Sequence, residues 1–404
     1  MRKNGPTGVE TLPRPLIDVP GAPPSCRGVL VERARYEWRP ADGGDPATLA
    51  EQFLAAHGLD LTDLARPATH QPTGVCGAAL YVSAAAGAHM IGAAPGAPTP
   101  APALPELAVV VYGHHPSPSP AAPPAPARAA RSGPGWWLGD WRESWTPRQH
   151  ADAVTAVRAA IARGDVYQVN VVGHAAARYL GDPRPALSRL GALPGARYGG
   201  TLHGDGWAIG CASPETLVEV TDGRVITRPI KGTRPATAAG RRELLASAKE
   251  RAEHVMIVDL ERNDLARVAR TGSVRVDELF AVRRWCDLWQ AESTVSAAVA
   301  DGLGLADLLR ATCPGGSVTG APKLAALARI AALEPVGRGA SMGALGWVGP
   351  GRLDLGLTIR TVAADADRLH VWAGGGITWD SDPDAEVAEA AAKAAPVRAL
   401  LATG

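Results

Sequence analysis

The chain has 404 residues, 46% of them hydrophobic and 20% charged, with a formal net charge of +1. This is the composition of a soluble globular protein with room for two or three domains or one elaborated enzyme fold. The near-neutral charge supplies no bulk field for nucleic acid or membrane, so neither is an expected partner, and an anionic ligand must be held by local groups.

No apolar run is long enough to span a bilayer, and "MRKNGPTGVETLPRPL" lacks the apolar stretch of a signal peptide. The five cysteines (Cys26, Cys76, Cys211, Cys286, Cys313) are scattered and include no CxxC pair. That speaks against a disulfide framework or zinc site and for a reducing, cytoplasmic setting.

Residues 1–24 are rich in proline and glycine and are expected to be disordered. Residues 25–133 read as a divergent N-terminal subdomain with one helix, "DPATLAEQFLAAHG", and a buried strand, "ELAVVVYGHH". Proline-rich linkers, "AAPGAPTPAPAL" and "PSPSPAAPPAPAR", bracket that strand. Residues 134–404 carry the sharper signals and are assigned to the catalytic domain. A helix starts with Thr146 as N-cap and Pro147 at its first position, and ends at Gly164. "VYQVNVVGHAAARY" is a strand, and a helix follows near 184–193. "WAIGCASPETLVEVTDGRVITRPI" reads as two strands joined by the turn Asp222-Gly223. "AGRRELLASAKERAEHVMIVDLERNDLARVA" reads as one long helix. The last third alternates helices with the strands "GALGWV", "LDLGLTIRTVAA" and "RLHVWAG". The layout is mixed α/β, without an internal repeat.

Four stretches carry chemistry. In "RPIKGTRPA" the chain places Lys231, one of only five lysines among 41 basic residues. Arginine stays charged, whereas lysine can lose its proton and attack as a nucleophile. Glu215, in "ASPETL", lies across the hairpin, so the two residues are either an acid–nucleophile pair or a cross-strand ion pair. "CPGGSVTGAPKLAALARI" is a glycine-rich turn before a helix. It lacks the Gly-Lys-Ser/Thr of a nucleotide P-loop, and holds either a small anion, with Ser317 and Thr319 at hand, or nothing. In "WAGGGITWD", Gly374, Gly375 and Gly376 directly after a strand offer close approach and free amides, and Arg360 in the preceding strand can clamp a carboxylate. Asp382 and Pro383 start a helix whose Glu386 and Glu389 share a face. With Glu253 of "KERAEH" they are candidates for a magnesium site or, singly, solvated glutamates.

Together these stretches resemble the chorismate-utilising enzymes. The motifs run in the family's order: "GDVYQVN", "SPETLVEV", "RPIKGTRP", "AKERAEHVMIVDLERNDLARV", "PGGSVTGAPK", "DLGLTIRT" and "AGGGITWDSDPDAEVAE". The resemblance spans about residues 105–402 and implies an anthranilate-synthase-like α/β (α+β) fold, two packed antiparallel sheets surrounded by helices. It implies a cleft that holds chorismate on Gly374, Gly375, Gly376, Arg360 and Thr319. Mg²⁺ would be bound by Glu253 and Glu389, with Glu386 as ligand or close support, and Glu215 would be the general acid. Gln168 stands where water-adding relatives have a lysine, which disfavours water as nucleophile. Lys231 matches the lysine of the aminodeoxychorismate-forming type, where anthranilate-forming members usually have alanine. The implied reaction is addition of the lysine amine to C2, loss of the C4 hydroxyl, and attack of ammonia at C4. Two positions depart from the family: Gln290 replaces a usual histidine, and Trp347 replaces a tyrosine that holds a substrate carboxylate. The chain carries no Gly-x-Cys-x-Gly glutaminase motif, so a separate glutamine amidotransferase subunit is the expected ammonia source. The alternatives are amination at C2, giving anthranilate or 2-amino-2-deoxyisochorismate, and a catalytically weakened chorismate-binding paralogue.

Overall fold

The computed structural model describes residues 19–22, 30–66, 74–114 and 135–402. Most of the segment expected to be disordered, and the proline-rich stretch 116–128, lie outside them. The expected boundary at 133–134 also lies outside.

The chain opens with β1 (Leu30–Trp38), α1 (Pro46–Ala56), β2 (Gly77–Val82), α2 (Ala84–Met90) and β3 (Leu107–His114). Two short strands, β4 (Trp137–Leu138) and β5 (Arg142–Glu143), precede α3 (Pro147–Ala162) and the long β6 (Gln168–Leu180). α3 begins as its sequence dictates: Thr146 and Gln149 cap each other reciprocally, and Gly164 takes φ +79° just beyond the end. Next come α4 (Arg184–Ser188), β7 (Tyr198–Gly204), β8 (Trp207–Ser213), β9 (Thr216–Thr221), β10 (Arg224–Arg228) and β11 (Ile230–Pro235). Then follow α5 (Ala238–Ala246), α6 (Ala248–Ala266), β12 (Arg275–Trp285), β13 (Leu288–Ala298) and α7 (Leu305–Thr312). The chain closes with β14 (Gly320–Ala321), α8 (Lys323–Leu333), β15 (Ala344–Gly349), β16 (Arg352–Leu357), β17 (Thr361–Asp365), β18 (Arg368–Ile377) and α9 (Pro383–Ala402).

The strands form two antiparallel sheets, as the sequence implied. One has ten strands in the order β1-β3-β2-β15-β16-β9-β10-β13-β11, with β12 beside β13. The other has eight, β14-β6-β18-β17-β8-β7, with β4 and β5 on β6. A single apolar cluster joins Trp38, Tyr81, Tyr112 and Leu355 of the first sheet to Val172, Ile209 and Trp372 of the second, so the sheets pack face to face. The N-terminal strands belong to that same sheet, since β2 pairs directly with β15.

Several elements differ from the sequence reading, each for a local reason. "WAIGCASPETLVEVTDGRVITRPI" is three strands: the chain leaves the second sheet after β8 and enters the first at β9. Glu215 sits at that crossing, and Pro229, which has no N–H for a ladder, separates β10 from β11. Ser247 splits the expected long helix, closing α5 and capping α6 through Glu250 N–H. "LDLGLTIRTVAA" breaks at 358–360, where Arg360 takes φ +51°. Cys76 is disulfide-bonded, which departs from the reading against a disulfide framework; Cys211, Cys286 and Cys313 are free. Among the described residues no helix is long and apolar enough to cross a membrane.

Candidate functional site

A pocket partly open to solvent lies where β11, α6, β18 and α9 meet the loop before β14. Its walls bring together residues from Asn170 to Val397, which lie 227 positions apart.

Lys231 reaches the pocket from β11 and is 8% exposed. Its Nζ donates to the Ser317 carbonyl at 3.1 Å. Burial pulls its pKa below the usual lysine range, opposed by the carboxylates of Glu253 and Glu215. Glu215 is also buried, and burial raises its carboxyl. The Ser317 hydroxyl, donating to Oε1 at 2.7 Å, and the Ile230 N–H at 3.2 Å counter part of that rise. An amine biased toward its neutral form and a carboxyl biased toward its protonated form, both held at Ser317, can work as a nucleophile and an acid.

Arg360 enters from the break between β16 and β17. Its guanidinium lies 3.8 Å from the Trp285 ring centroid. It is buried, and among the described residues its Nε and Nη1 have no hydrogen-bond partner. Burial brings its pKa down to about 10, which leaves it charged at neutral pH. A buried guanidinium in a pocket wall with Nε and Nη1 unpartnered among the described residues can receive an incoming carboxylate.

α6 turns an unusual stripe inward: Glu250, His254, Ile257, Val258, Glu261, Asp264 and Leu265 are its buried positions. Helical spacing is kept, but four of these seven residues are ionisable, so hydrophobic patterning alone does not reveal which face is buried. Glu253 lies beside that stripe at the pocket. Burial pushes its carboxyl up to about 7. Glu386 and Glu389 come from the first turns of α9, whose start is capped by Asp382. Burial raises Glu386, which accepts from Ser381 at 2.7 Å. Lys393, 2.7 Å away, lowers Glu389. Among the described residues no group of three His, Cys, Asp or Glu side chains is placed to hold a metal ion. Glu253 from α6 and Glu386 and Glu389 from α9 line the same pocket and are oxygen donors of the type Mg²⁺ takes.

The glycines lie within β18, not after it: Gly374, Gly375 and Gly376 pair with Val172, Val171 and Asn170 of β6. Their amides are therefore not all free. The reason for glycine is space. A Cβ on Gly375 would stand 2.8 Å from Glu386 Oε2, and one on Gly376 would stand 2.6 Å from Gln168 Nε2 and 2.9 Å from Lys231 Nζ. Gln168 is thus beside the lysine, and among the described residues neither of its amide atoms has a partner.

Two expected contacts are not formed. Thr319 is fully buried and its hydroxyl donates to the Gly315 carbonyl at 2.8 Å, so Ser317 and Val318 line the pocket in its place. Trp347 is a core residue of β15, stacked on Tyr112 at 6.1 Å, because its strand faces the inter-sheet core. Gln290 does line the pocket. Sequence reasoning missed Ser317 as the bridging residue, Glu250, Asn170, Lys249 and Lys393. Of these, Asn170 had a signal, two positions after Gln168 on one strand face.

A family model described as chorismate binding enzyme matches residues 60–399. The chain belongs to that family. The aminodeoxychorismate synthase component 1 of Salmonella typhimurium is 41% identical over 62% of this chain and 56% of its own length. This chain therefore spans a little over half the length of that relative. The anthranilate synthase component 1 of Streptomyces coelicolor is 36% identical, across 96% of this chain and 75% of its own. The crystal structure of anthranilate synthase component I from Streptococcus pneumoniae superposes with a TM-score of 0.75 at 25% identity, covering 98% of this chain and 95% of that one.

Proposed function

We propose that this family member converts chorismate and ammonia to 4-amino-4-deoxychorismate. Arg360 and the glycine stretch of β18, which runs on past the end of β17 while still paired with β6, receive the substrate carboxylates. Lys231 Nζ adds to C2 as the ring double bond shifts and the C4 hydroxyl leaves, taking a proton from Glu215 to depart as water. Ammonia then bonds to C4, the double bond returns, and the C2–N bond to Lys231 breaks. Carbon–nitrogen exchange balances: one ammonia enters and one water leaves. Glu253 and Glu389, with Glu386, would hold Mg²⁺, which when bound would neutralise the substrate's ring carboxylate. Ammonia would come from a separate glutamine amidotransferase subunit, because this sequence contains no glutaminase nucleophile motif. The product would feed p-aminobenzoate, for folate or a derived natural product.

The observation that carries the reading is the buried Lys231 amine, with Glu215 held at the same residue, Ser317. An amine occupying C2 leaves C4 for ammonia, which argues against the C2-aminating alternative. The test is mass spectrometry of products from the protein, chorismate, Mg²⁺ and excess ammonium, with Lys231→Ala alongside. An amino product that a lyase converts to p-aminobenzoate, and that the variant makes far more slowly, supports the reading. Anthranilate or a 2-amino isomer overturns it in favour of C2 amination. Unconsumed chorismate, with an amidotransferase supplied, overturns it in favour of a binding role.

A further inference from the structure

Lys231 stands at a β-bulge. β11 runs in register with β13 at Lys231–Ala291 and slips before Thr233–Gln290, with Gly232 at φ +74° between them. A bulge takes backbone groups out of the ladder and bends its strand. The ladder alone therefore does not fix where a side chain at this position aims.

A second element does. The imidazole of His254, on α6 and fully buried, places Nε2 3.1 Å from the Lys231 carbonyl and Nδ1 2.9 Å from Ser293 Oγ. Ser293 Oγ lies 3.0 Å from the backbone N of Phe280. The carbonyl end sets the order: a carbonyl only accepts, so Nε2 carries the proton and, in the neutral imidazole, Nδ1 accepts. The Ser293 oxygen can accept from Phe280 N–H as its hydroxyl donates. Phe280 N–H donates to Ser293, the Ser293 hydroxyl donates to His254 Nδ1, and His254 Nε2–H donates to Lys231 O. The Phe280 ring meets the imidazole edge-on at 4.8 Å, limiting its rotation. β12, β13 and α6 are thereby tied to the one carbonyl beside the bulge. His254 is not among the pocket's lining residues, so it acts through Lys231.

We infer that His254 is a positioning residue for Lys231: its Nε2–H fixes the bulged backbone and aims the amine at Ser317 and Glu215. This rests on Lys231 being the reacting amine. A reacting group displaced by about 1 Å loses on the order of 10²-fold in rate.

The test uses the full chain with His254→Ala, His254→Gln and Ser293→Ala, assayed for chorismate turnover with Mg²⁺ and ammonium. The expected result for His254→Ala is kcat down on the order of 10²-fold with KM within about twofold, the pattern of lost alignment. His254→Gln keeps an N–H donor and recovers about tenfold of that loss, and Ser293→Ala lowers kcat about tenfold. A His254→Ala loss that lies in KM, or a glutamine variant no better than alanine, overturns the inference. Should His254→Ala fail to fold, Ser293→Ala decides, because unchanged kcat there overturns it too. A second readout needs no turnover: the rate of reductive methylation of Lys231, measured by peptide mass against Lys249. A changed rate in the variants with no chorismate consumed by the parent protein keeps the positioning role and removes the proposed reaction. An unchanged rate removes the positioning role whatever the reaction.

Discussion

Lys231 and Glu215 are tied to opposite ends of one residue: Ser317 accepts from the lysine amine at its carbonyl and donates to the carboxylate from its hydroxyl. The loop that carries Ser317 is itself clamped from behind. Arg338 donates to the Val318 carbonyl and to the Asn170 carbonyl, 2.9 Å away in the latter case, so the bridge is fixed to β6. Loop, acid and amine thus form one unit. A unit of this kind loses most of its effect when any part is removed.

Ser317→Ala tests that unit. A hydrogen bond to the ionised form holds a carboxyl down, so losing the hydroxyl lets burial raise Glu215 further. If Glu215 acts as an acid, the limb where activity falls with rising pH moves to higher pH, while kcat at its plateau drops about tenfold from the loosened geometry. A pH profile of kcat in both proteins checks this. A limb that stays put shows that Glu215 is not the titrating acid.

Arg360→Lys tests carboxylate recognition. The guanidinium stacks on Trp285 and keeps Nε and Nη1 unpartnered among the described residues. An ammonium cannot reproduce a planar, bidentate donor. A hydrogen bond to a charged group contributes about 1.5–3 kcal/mol, so KM for chorismate is expected to rise roughly ten- to a hundredfold, with a smaller effect on kcat. Steady-state kinetics decides, and an unchanged KM removes Arg360 from the substrate contacts.

Much of this was legible before any coordinates. Lys231, Glu215, Arg360, Glu253, Glu386 and Glu389 all reach one pocket, because their residue types and motif order carried the chemistry. What was illegible is what depends on which sheet a strand joins. Periodicity gives no sign that β8 and β9 part company at Pro214, and that crossing is what turns Glu215 into the site. The triple glycine looked like a loop because glycine is rare in strands, yet it continues β18 to leave room for Lys231 and Glu386. Thr319 and Trp347 had suitable donors, but a side chain's direction is set by its backbone, and theirs face the loop interior and the core.

The carboxylate wall predicts metal dependence. Chelation should abolish turnover and added Mg²⁺ should restore it. Glu253→Gln is expected to raise the Mg²⁺ concentration needed for half-maximal rate by at least about tenfold, and Glu389→Gln likewise. Isothermal titration with Mg²⁺ alone gives a second measure. Turnover that survives chelation would leave Glu253, Glu386 and Glu389 as substrate contacts only.

A buried histidine pair predicts loss of stability in acid. His174 Nε2 lies 3.1 Å from His370 Nδ1, and His174 Nδ1 lies 2.6 Å from Ser144 Oγ. Burial, the largest cause for both, holds His174 at about 3 and His370 at about 4. Both folded values lie below the unfolded value near 6.5. Between those limits the unfolded chain binds more protons, so stability is full above about pH 6.5 and falls as pH drops. Each histidine adds a slope of roughly 1.4 kcal/mol per pH unit at most in that window. Urea melts at pH 7, 6 and 5 should show the fall, and His370→Gln should flatten it. An equal slope in the variant would assign the acid sensitivity to other groups.

Gly376→Ala separates stability from function most sharply. Gly376 is not at positive φ, so alanine meets no backbone strain there. The atoms a methyl group would meet, Gln168 Nε2 at 2.6 Å and Lys231 Nζ at 2.9 Å, are the ends of flexible side chains that can move aside. The fold should therefore tolerate the change, with stability within about 1 kcal/mol of the parent. The site should not, because the amine can yield only by leaving its place against Ser317. An activity loss on the order of 10²-fold is expected from that displacement, beside a nearly unchanged melting curve. If turnover persists, the hollow above Gly376 is not where the amine works, and the role given to Lys231 fails with it.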